Sequence, residues 1–181
     1  IGVYFYPAEY YVDLKANGLE LDFQDDAPYI QVFEYSGDIL DINEVDVGTY
    51  NTLLKKMFSD VVPGLVKTYT YAVDAEELNK HISKAAVDAS NNALIKSYGG
   101  YLWYIMYSTA KFVYENGSKS IQPIIWNKII QLLGYDAVVD YGSGIIHMNE
   151  PHAGVVVNTT KIHLLRTFEN KSEVGTADEE F

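Results

Sequence analysis

Short alternations of apolar and polar residues occur near both ends of the chain. A period of two, bounded by turn residues, is typical of β-strands. The alternation predicts a strand at Tyr29–Tyr35. Short apolar or aromatic segments bounded by turn residues predict further strands at Gly2–Tyr6, Ile39–Ile42, Ala137–Val139, Gly144–His147, Gly154–Val157 and Ile162–Leu165.

The middle of the chain carries apolar residues at helical spacing instead. Asp74, followed by two glutamates, has the composition of a helix N-cap and first turn. Pro63-Gly64 predicts a break in the chain, and Gly99-Gly100 predicts a separation between two helices. The predicted helices are Ala8–Lys15, Thr49–Phe58, residues 75–97, Tyr101–Tyr114 and Ile121–Leu133.

Strands, then several helices, then strands again indicate an α+β fold with a helical layer against a small sheet. The sequence contains no internal repeat and no linker-like composition, which predicts a single domain over residues 1–166. Residues 167–181 are acidic and poor in apolar residues, and we expect a flexible tail there.

Charge is unevenly distributed over the 181 residues, whose formal net charge is −12. Residues 1–50 hold 11 acidic residues and one lysine, residues 51–166 are close to neutral, and residues 167–181 are again acidic. Such an acidic chain repels phosphate backbones, so we expect no nucleic-acid binding. The middle of the chain could still accept an anionic ligand such as a dinucleotide.

Apolar runs such as Tyr101–Tyr107 are too short to cross a bilayer, and no signal peptide is visible, so no membrane partner is expected. The absence of cysteine excludes disulfides, thiolate zinc sites and cysteine nucleophiles. A location in the host cytoplasm or in a virion fits best. Because the first residue is Ile1 rather than Met, we expect a processed chain or a piece of a longer one.

Common cofactor and metal motifs are absent from the sequence. There is no P-loop and no G-x-G-x-x-G, and the acidic run from Asp38 to Asp46 has Val45 where a calcium loop needs an oxygen donor. No histidine pair has a zinc-protease spacing. His147, Glu150 and His152 cluster in sequence, but their spacing matches no metal-binding motif, so no metal site is expected. Ser143 lacks the strand-to-helix context of a nucleophile elbow.

The aromatic stretch around Tyr101, Trp103, Tyr104 and Tyr107 allows two interpretations. These rings could stack on a flat ligand. A helix with aromatic residues on several faces is more often a buried core helix, and we favour that interpretation.

Glu150 is the strongest candidate for chemistry. It lies in Asn149-Glu150-Pro151, between two predicted strands, where Pro151 restricts the backbone. A carboxylate at such a corner is suited to reach into a cleft. The alternative is a surface turn with a solvated glutamate.

Both ends of the chain resemble ADP-ribosyltransferase-fold domains of the type found in phage and mobile-element proteins. The N-terminal match is the strand Gly2-Val3-Tyr4-Phe5-Tyr6-Pro7, followed by Tyr29–Leu40. The C-terminal matches are Gly134-Tyr135-Asp136-Ala137-Val138-Val139, Ile145-Ile146-His147, Asn149-Glu150-Pro151, Gly154–Val157 and Thr160-Lys161-Ile162.

The resemblance implies a fold of small split β-sheets with NAD in the cleft between them. It implies that Glu150 is the catalytic carboxylate, which stabilises the ribosyl cation as nicotinamide leaves. The cofactor-binding residues that it implies are Tyr4, Phe5, Tyr6 and His147.

The sequence departs from the family at one basic position. The family's NAD-holding Arg or His should precede the first strand, whereas this chain starts at Ile1. Its only arginine, Arg166, follows the last motif, so sequence order excludes it from that role. Tyr6 also stands where the family often has Thr or Ser.

Three functions follow from these observations. The first is a NAD-dependent ADP-ribosyltransferase that modifies a protein or another macromolecular acceptor. The second is a non-catalytic virion or interaction domain with the same fold, whose partners would be virion proteins. The third is a NAD glycohydrolase, in which water replaces the acceptor.

Overall fold

The computed structural model describes residues 3–5, 29–140 and 154–169. Within these ranges the protein consists of two small β-sheets and a layer of helices, and the predicted α+β class is confirmed. The predicted helix at Ala8–Lys15 and the predicted strand at Gly144–His147 lie outside the described residues.

The larger sheet has four short strands in the order β1-β5-β4-β3. They are β1 Val3–Phe5, β3 Ile39–Asp41, β4 Ala137–Val139 and β5 Gly154–Val156. β5 is antiparallel to both β1 and β4, and β3 is parallel to β4. The strands from the two ends of the chain therefore form one sheet.

The smaller sheet is an antiparallel ribbon of β2 (Tyr29–Tyr35) and β6 (Ile162–Glu169), with a register shift between Val32 and Phe33. β6 continues through Glu169, where the sequence predicted the start of a tail at residue 167. The reason is long-range pairing with β2, since Glu169 lies opposite Tyr29 and Thr167 lies opposite Gln31.

The helices lie between β3 and β4 in the sequence. They are α1 Val47–Lys56, α2 Val62–Thr68, α3 Ala75–Asn91, α4 Tyr98–Glu115 and α5 Gln122–Leu132. The predicted N-cap is confirmed, because the Asp74 carboxylate accepts a hydrogen bond of 2.8 Å from the Glu77 amide. Gly134, at a φ of 95°, terminates the last helix as the sequence predicted.

Pro63-Gly64 does not break the chain, which corrects the prediction. A π-helical turn, Met57–Val61, joins α1 to α2 without interruption. In this turn the Val62 amide donates to the Met57 carbonyl, five residues back. The wider turn accommodates a proline that can neither donate to the residue four positions earlier nor tolerate its carbonyl.

Gly99-Gly100 also lies inside a helix rather than between two. α3 ends at Asn91, earlier than predicted, and the Ser97 side chain caps α4 by accepting from the Gly100 amide at 3.0 Å. A Cβ on Gly99 would lie 1.8 Å from the Ile42 carbonyl oxygen. Gly99 therefore permits direct contact between the first turn of α4 and the 3-10 turn Ile42–Glu44 that follows β3.

α4 is the central helix of the layer, which agrees with the core interpretation of the aromatic stretch, although Tyr101, Trp103 and Tyr104 are only partly buried and Tyr107 is exposed. It contacts α1, α3 and α5. Its buried positions are Gly99, Gly100, Leu102, Ile105, Met106, Thr109, Ala110 and Val113. Within the described residues, no helix has both the length and the apolar character needed to cross a membrane.

Candidate functional site

One row of residues crosses the four-stranded sheet at a single end. Phe5 lies opposite Gly154, Gly154 lies opposite Val139, and Val139 is in register with Asp41. β1, β3 and β4 all end at this row, whereas β5 begins there. Ile42, which follows β3, and Asp140, which follows β4, therefore leave the sheet at the same end.

Only some of the site residues predicted from the sequence can be located relative to this row. Phe5 belongs to it, and Tyr4 lies one position further into β1, opposite Val155. Tyr6, His147 and Glu150 lie outside the described residues. In the sequence, Tyr6 directly follows Phe5, and Glu150 is four positions before Gly154.

The Phe5 ring connects the two sheets. It lies over Gly154, where a Cβ would be 2.2 Å from the Phe5 Cζ atom. On its other side it makes an edge-to-face contact with Phe33 of β2, with 5.9 Å between the ring centroids. Phe5 and Phe33 are both only partly buried. Aromatic surface is therefore present where the two sheets meet.

The pairing of β2 with β6 places a basic residue in the same ribbon as Phe33. Arg166 is exposed on β6 and lies opposite Val32, the residue before Phe33. Sequence order had excluded Arg166 from the site because it follows the last motif. Only the long-range pairing of the ribbon could have shown its position.

A buried carboxylate lies at the same end of the sheet and was missed by sequence reasoning. Asp140, directly after β4, has no solvent exposure. Its Oδ1 atom accepts a hydrogen bond of 3.1 Å from the Asn43 Nδ2 atom. A buried charge requires such polar partners. The sequence signal was available in retrospect, since Asp140 follows a wholly apolar strand without an intervening turn residue.

The calcium-like run from Asp38 to Asp46 forms local caps. The Asp41 Oδ1 atom accepts from the Asn43 amide at 3.0 Å, and the Asp46 Oδ1 atom accepts from the Thr49 amide at 2.7 Å. Hydrogen bonding to Thr49 lowers the pKa of Asp46. Among the residues that the structure describes, no group of three or more acidic or histidine side chains could hold a metal ion.

A second polar cluster occupies the opposite end of the sheet, around Asp136. Its Oδ2 atom accepts from the Lys161 Nζ atom at 2.7 Å and from the Asp38 amide at 2.9 Å. Its Oδ1 atom accepts from the Asn158 Nδ2 atom at 2.9 Å. The Tyr35 hydroxyl donates to the Asp136 backbone carbonyl at 3.0 Å. The cluster thus joins the chain before β4, the β2–β3 turn and the β5–β6 connection.

The ionisable groups of this second cluster have a structural role. The side-chain hydrogen bond from Lys161, followed by those from Asn158 and the Asp38 amide, lowers the pKa of Asp136 to about 2. Burial, together with the Asp136 charge, raises the pKa of Tyr35 to about 12. Neither group changes its protonation near neutral pH. Charge states that stay constant near neutral pH suit a fixed clamp between the two sheets rather than proton transfer.

Comparison with protein-family models, with curated proteins and with solved structures finds no match to this chain. The likeness to ADP-ribosyltransferases thus depends on the sequence motifs described above.

Proposed function

We propose that the protein is a NAD-dependent ADP-ribosyltransferase acting on a protein acceptor, with NAD bound at the end of the sheet that contains Phe5 and Gly154. The observation that carries the proposal is the register of β1 against β5. It brings the first and the last motifs of the resemblance to the same end of one sheet, although they are about 150 residues apart in sequence.

The proposed reaction transfers the ADP-ribosyl group from nicotinamide to a nucleophile of the acceptor. The bond between nicotinamide and the ribose breaks, and nicotinamide leaves with the electron pair. The Glu150 carboxylate stabilises the positive charge that develops on the ribose. The acceptor then forms a bond to the same carbon and releases its proton to Glu150 or to water.

Two features of the described residues suit a dinucleotide at this end. The partly buried rings of Phe5 and Phe33 supply flat apolar surface at the junction of the sheets. The same ribbon carries the guanidinium group of Arg166, which lies opposite Val32. A guanidinium group recognises phosphate oxygens with two parallel hydrogen bonds, so we assign Arg166 to the pyrophosphate.

A non-catalytic interaction domain is the second candidate, and one observation favours it. Leu164 and Leu165 are adjacent on β6 and are 52% and 58% exposed. Apolar side chains exposed next to one another on a strand are common at protein–protein contacts. The NAD glycohydrolase remains a third candidate, since it needs the same site with water as the acceptor.

The decisive experiment is a calorimetric NAD titration of the full chain, combined with an assay for released nicotinamide and for ADP-ribose attached to protein. The variants are Glu150→Gln, Tyr4→Ala and Arg166→Ala. The matched control is Glu115→Gln, which changes an exposed glutamate on α4. The folded state of each variant is checked by circular dichroism.

We expect Glu150→Gln to reduce nicotinamide release by about 100-fold or more while NAD still binds, since the carboxylate acts mainly in the transition state. Arg166→Ala and Tyr4→Ala should weaken NAD binding itself, and Glu115→Gln should change neither quantity. Free ADP-ribose without labelled protein would indicate a glycohydrolase. A folded chain that binds no NAD would contradict the proposal and favour the interaction domain.

A further inference from the structure

Three tyrosines from two helices form a cluster at the protein surface. Tyr50 lies on α1, and Tyr98 and Tyr101 lie in the first turn of α4. Their ring centroids are 5.5 Å apart for Tyr50 and Tyr98, 6.1 Å for Tyr50 and Tyr101, and 5.8 Å for Tyr98 and Tyr101. The rings therefore mark the corners of a nearly equilateral triangle.

The fold brings these rings together through a glycine contact. Gly99 lies between the two α4 tyrosines, and its missing Cβ permits α4 to approach the Ile42 carbonyl. The same turn, Ile42–Glu44, leads within a few residues into the N-terminus of α1. The first turns of α1 and α4 are consequently neighbours, and Tyr50 meets Tyr98 and Tyr101.

The cluster is open to solvent on one side. Tyr98 is 40% exposed, whereas Tyr50 and Tyr101 are partly buried. The planes of the rings differ by 38° for Tyr50 and Tyr98, 66° for Tyr50 and Tyr101, and 88° for Tyr98 and Tyr101. Rings inclined to one another in this way form a corner rather than a stack.

A cation fits this arrangement better than a neutral group. The face of an aromatic ring carries negative partial charge and attracts a cation within roughly 6 Å of the ring centroid. In a cluster of this size, a cation on the solvent side can lie over the face of one ring and still be within about 6 Å of the centroids of the other two.

The surrounding charge is also suited to a cation. Glu44 and Asp46 are exposed in the segment that connects the 3-10 turn to Tyr50, and the Tyr50 amide donates to the Asp46 carbonyl at 2.8 Å. Lys96, two residues before Tyr98, offsets part of this charge. The first 50 residues together hold 11 acidic residues against one lysine. Long-range attraction of a basic partner follows from this imbalance.

We propose that Tyr50, Tyr98 and Tyr101 bind the arginine or lysine side chain of a basic segment on a partner protein. The exposed position of Tyr98 suits a side chain presented by another protein surface. Arginine is the preferred occupant, because its planar guanidinium group stacks on aromatic faces. This inference does not depend on NAD binding, since the cluster belongs to the helical layer and the proposed NAD site belongs to the sheet.

The test uses a dye-labelled peptide of six arginines separated by glycines, titrated with the full chain and followed by fluorescence anisotropy. The variants are Tyr98→Ala, which removes one ring, and Tyr98→Phe, which retains the ring and removes the hydroxyl. The matched control is Tyr71→Ala, because Tyr71 is fully exposed. Circular dichroism verifies the fold, and Tyr98→Leu replaces Tyr98→Ala if the alanine variant does not fold.

We expect Tyr98→Ala to weaken peptide binding by about 3- to 10-fold, the range of one partly desolvated cation–ring contact. Tyr98→Phe and Tyr71→Ala should bind within about twofold of the unchanged protein. Asp46→Asn retains a helix-capping side chain and removes one negative charge. It should weaken peptide binding less than Tyr98→Ala does, and its effect should be larger at low salt than at high salt.

Three results would overturn the proposal. The first is equal peptide affinity for Tyr98→Ala and the unchanged protein. The second is an equal loss in Tyr71→Ala, which would show general attraction to an acidic protein. The third is a Tyr98-dependent affinity for phosphatidylcholine vesicles without any for the peptide, which would assign the cluster to a choline head group.

Discussion

Phe5 and Gly154 lie directly opposite each other on β1 and β5, and the Phe5 ring occupies the space in which a side chain at position 154 would begin. A Cβ on Gly154 would be 2.2 Å from Cζ and 2.4 Å from Cε1 of that ring. The same ring contacts Phe33 of the ribbon. The glycine therefore determines how the larger sheet meets the smaller one.

We expect Gly154→Ala to destabilise the protein by about 1–3 kcal/mol, the usual cost of overpacking a well-packed position. The new methyl group would force the Phe5 ring out of its place and away from Phe33. The measurement is the free energy of unfolding from urea denaturation followed by circular dichroism.

A double-mutant cycle with Phe5→Leu provides the control for this prediction. If ring displacement is the cause, Gly154→Ala should cost less in the Phe5→Leu background, with a coupling free energy of about 1 kcal/mol. Gly48→Ala serves as a second control, because a Cβ there would lie at an ordinary 3.5 Å from the Asp46 carboxylate. The same cost in both backgrounds would contradict the explanation.

Two adjacent glycines at the start of α4 should respond differently to alanine. A Cβ on Gly99 would meet the backbone oxygen of Ile42 at 1.8 Å, whereas a Cβ on Gly100 would meet two side-chain atoms, Ile95 Cγ2 at 2.8 Å and Ser97 Oγ at 3.1 Å. The backbone has less freedom to move aside than these side chains have. We expect Gly99→Ala to cost more than about 3 kcal/mol, and Gly100→Ala to cost less than Gly99→Ala because alanine favours a helix and so offsets part of the crowding.

Thermal unfolding of both variants checks this pair. A melting temperature for Gly99→Ala equal to that of Gly100→Ala would mean that α4 can shift away from the Ile42 turn. In that case the approach of Tyr98 and Tyr101 to Tyr50 would also have to be less rigid than described.

Local sequence signals predicted the elements whose structure is determined locally. Tyr29–Tyr35 and Ala137–Val139 were predicted with their observed bounds, and the Asp74 cap and the Gly134 helix end were also predicted. Each of these depends on alternation, on a short apolar run, on a capping side chain or on a positive φ, all of which are properties of a few neighbouring residues.

The features that were not predicted depend on distant contacts. Pro63 and Gly64 have the local composition of a break, but a π-helical turn absorbs the proline, and a Cβ on Gly64 would be 2.5 Å from the Leu132 side chain of α5. Asn43 reaches Asp140 only because β3 and β4 pair in parallel across 97 residues of sequence. No local pattern specifies such a pairing.

The Asp136 cluster should make the folding stability of the protein depend on pH in the acidic range. The pKa of Asp136 is about 2 in the folded protein, against roughly 3.9 for an unperturbed aspartate. The unfolded chain therefore binds a proton more readily than the folded one. The stabilisation is complete above about pH 4 and is lost as the pH falls toward 2.

Asp136→Asn isolates this contribution. We expect the variant to be less stable than the unchanged protein at pH 7 by about 1–3 kcal/mol, the range for hydrogen bonds to a charged group. The difference between the two proteins should shrink between pH 4 and pH 2, as Asp136 becomes protonated. A difference that stays constant over this range would show that the charge of Asp136 contributes nothing to stability.

His81 should impose a second pH dependence, at higher pH. Its Nε2 atom lies 3.1 Å from the Ser108 carbonyl oxygen and 3.0 Å from the Ser108 hydroxyl, and its ring stacks on Phe112 at 4.3 Å. Because a carbonyl oxygen only accepts, we assign the proton of the neutral ring to Nε2. Burial is the largest cause that lowers the pKa of His81 from its usual value.

Because the folded protein resists protonation of His81, its stability should be complete above about pH 6.5 and fall as the pH decreases below that value. The loss is at most about 1.4 kcal/mol per pH unit for one proton. His81→Phe retains a ring against Phe112 and removes the titration, so its stability should decline less than that of the unchanged protein between pH 7.5 and pH 5. His163→Phe, at an exposed position on β6, is the matched control and should leave the decline unaltered. Parallel urea midpoints for all three proteins over this range would show that His81 has the same proton affinity in the folded and unfolded chain.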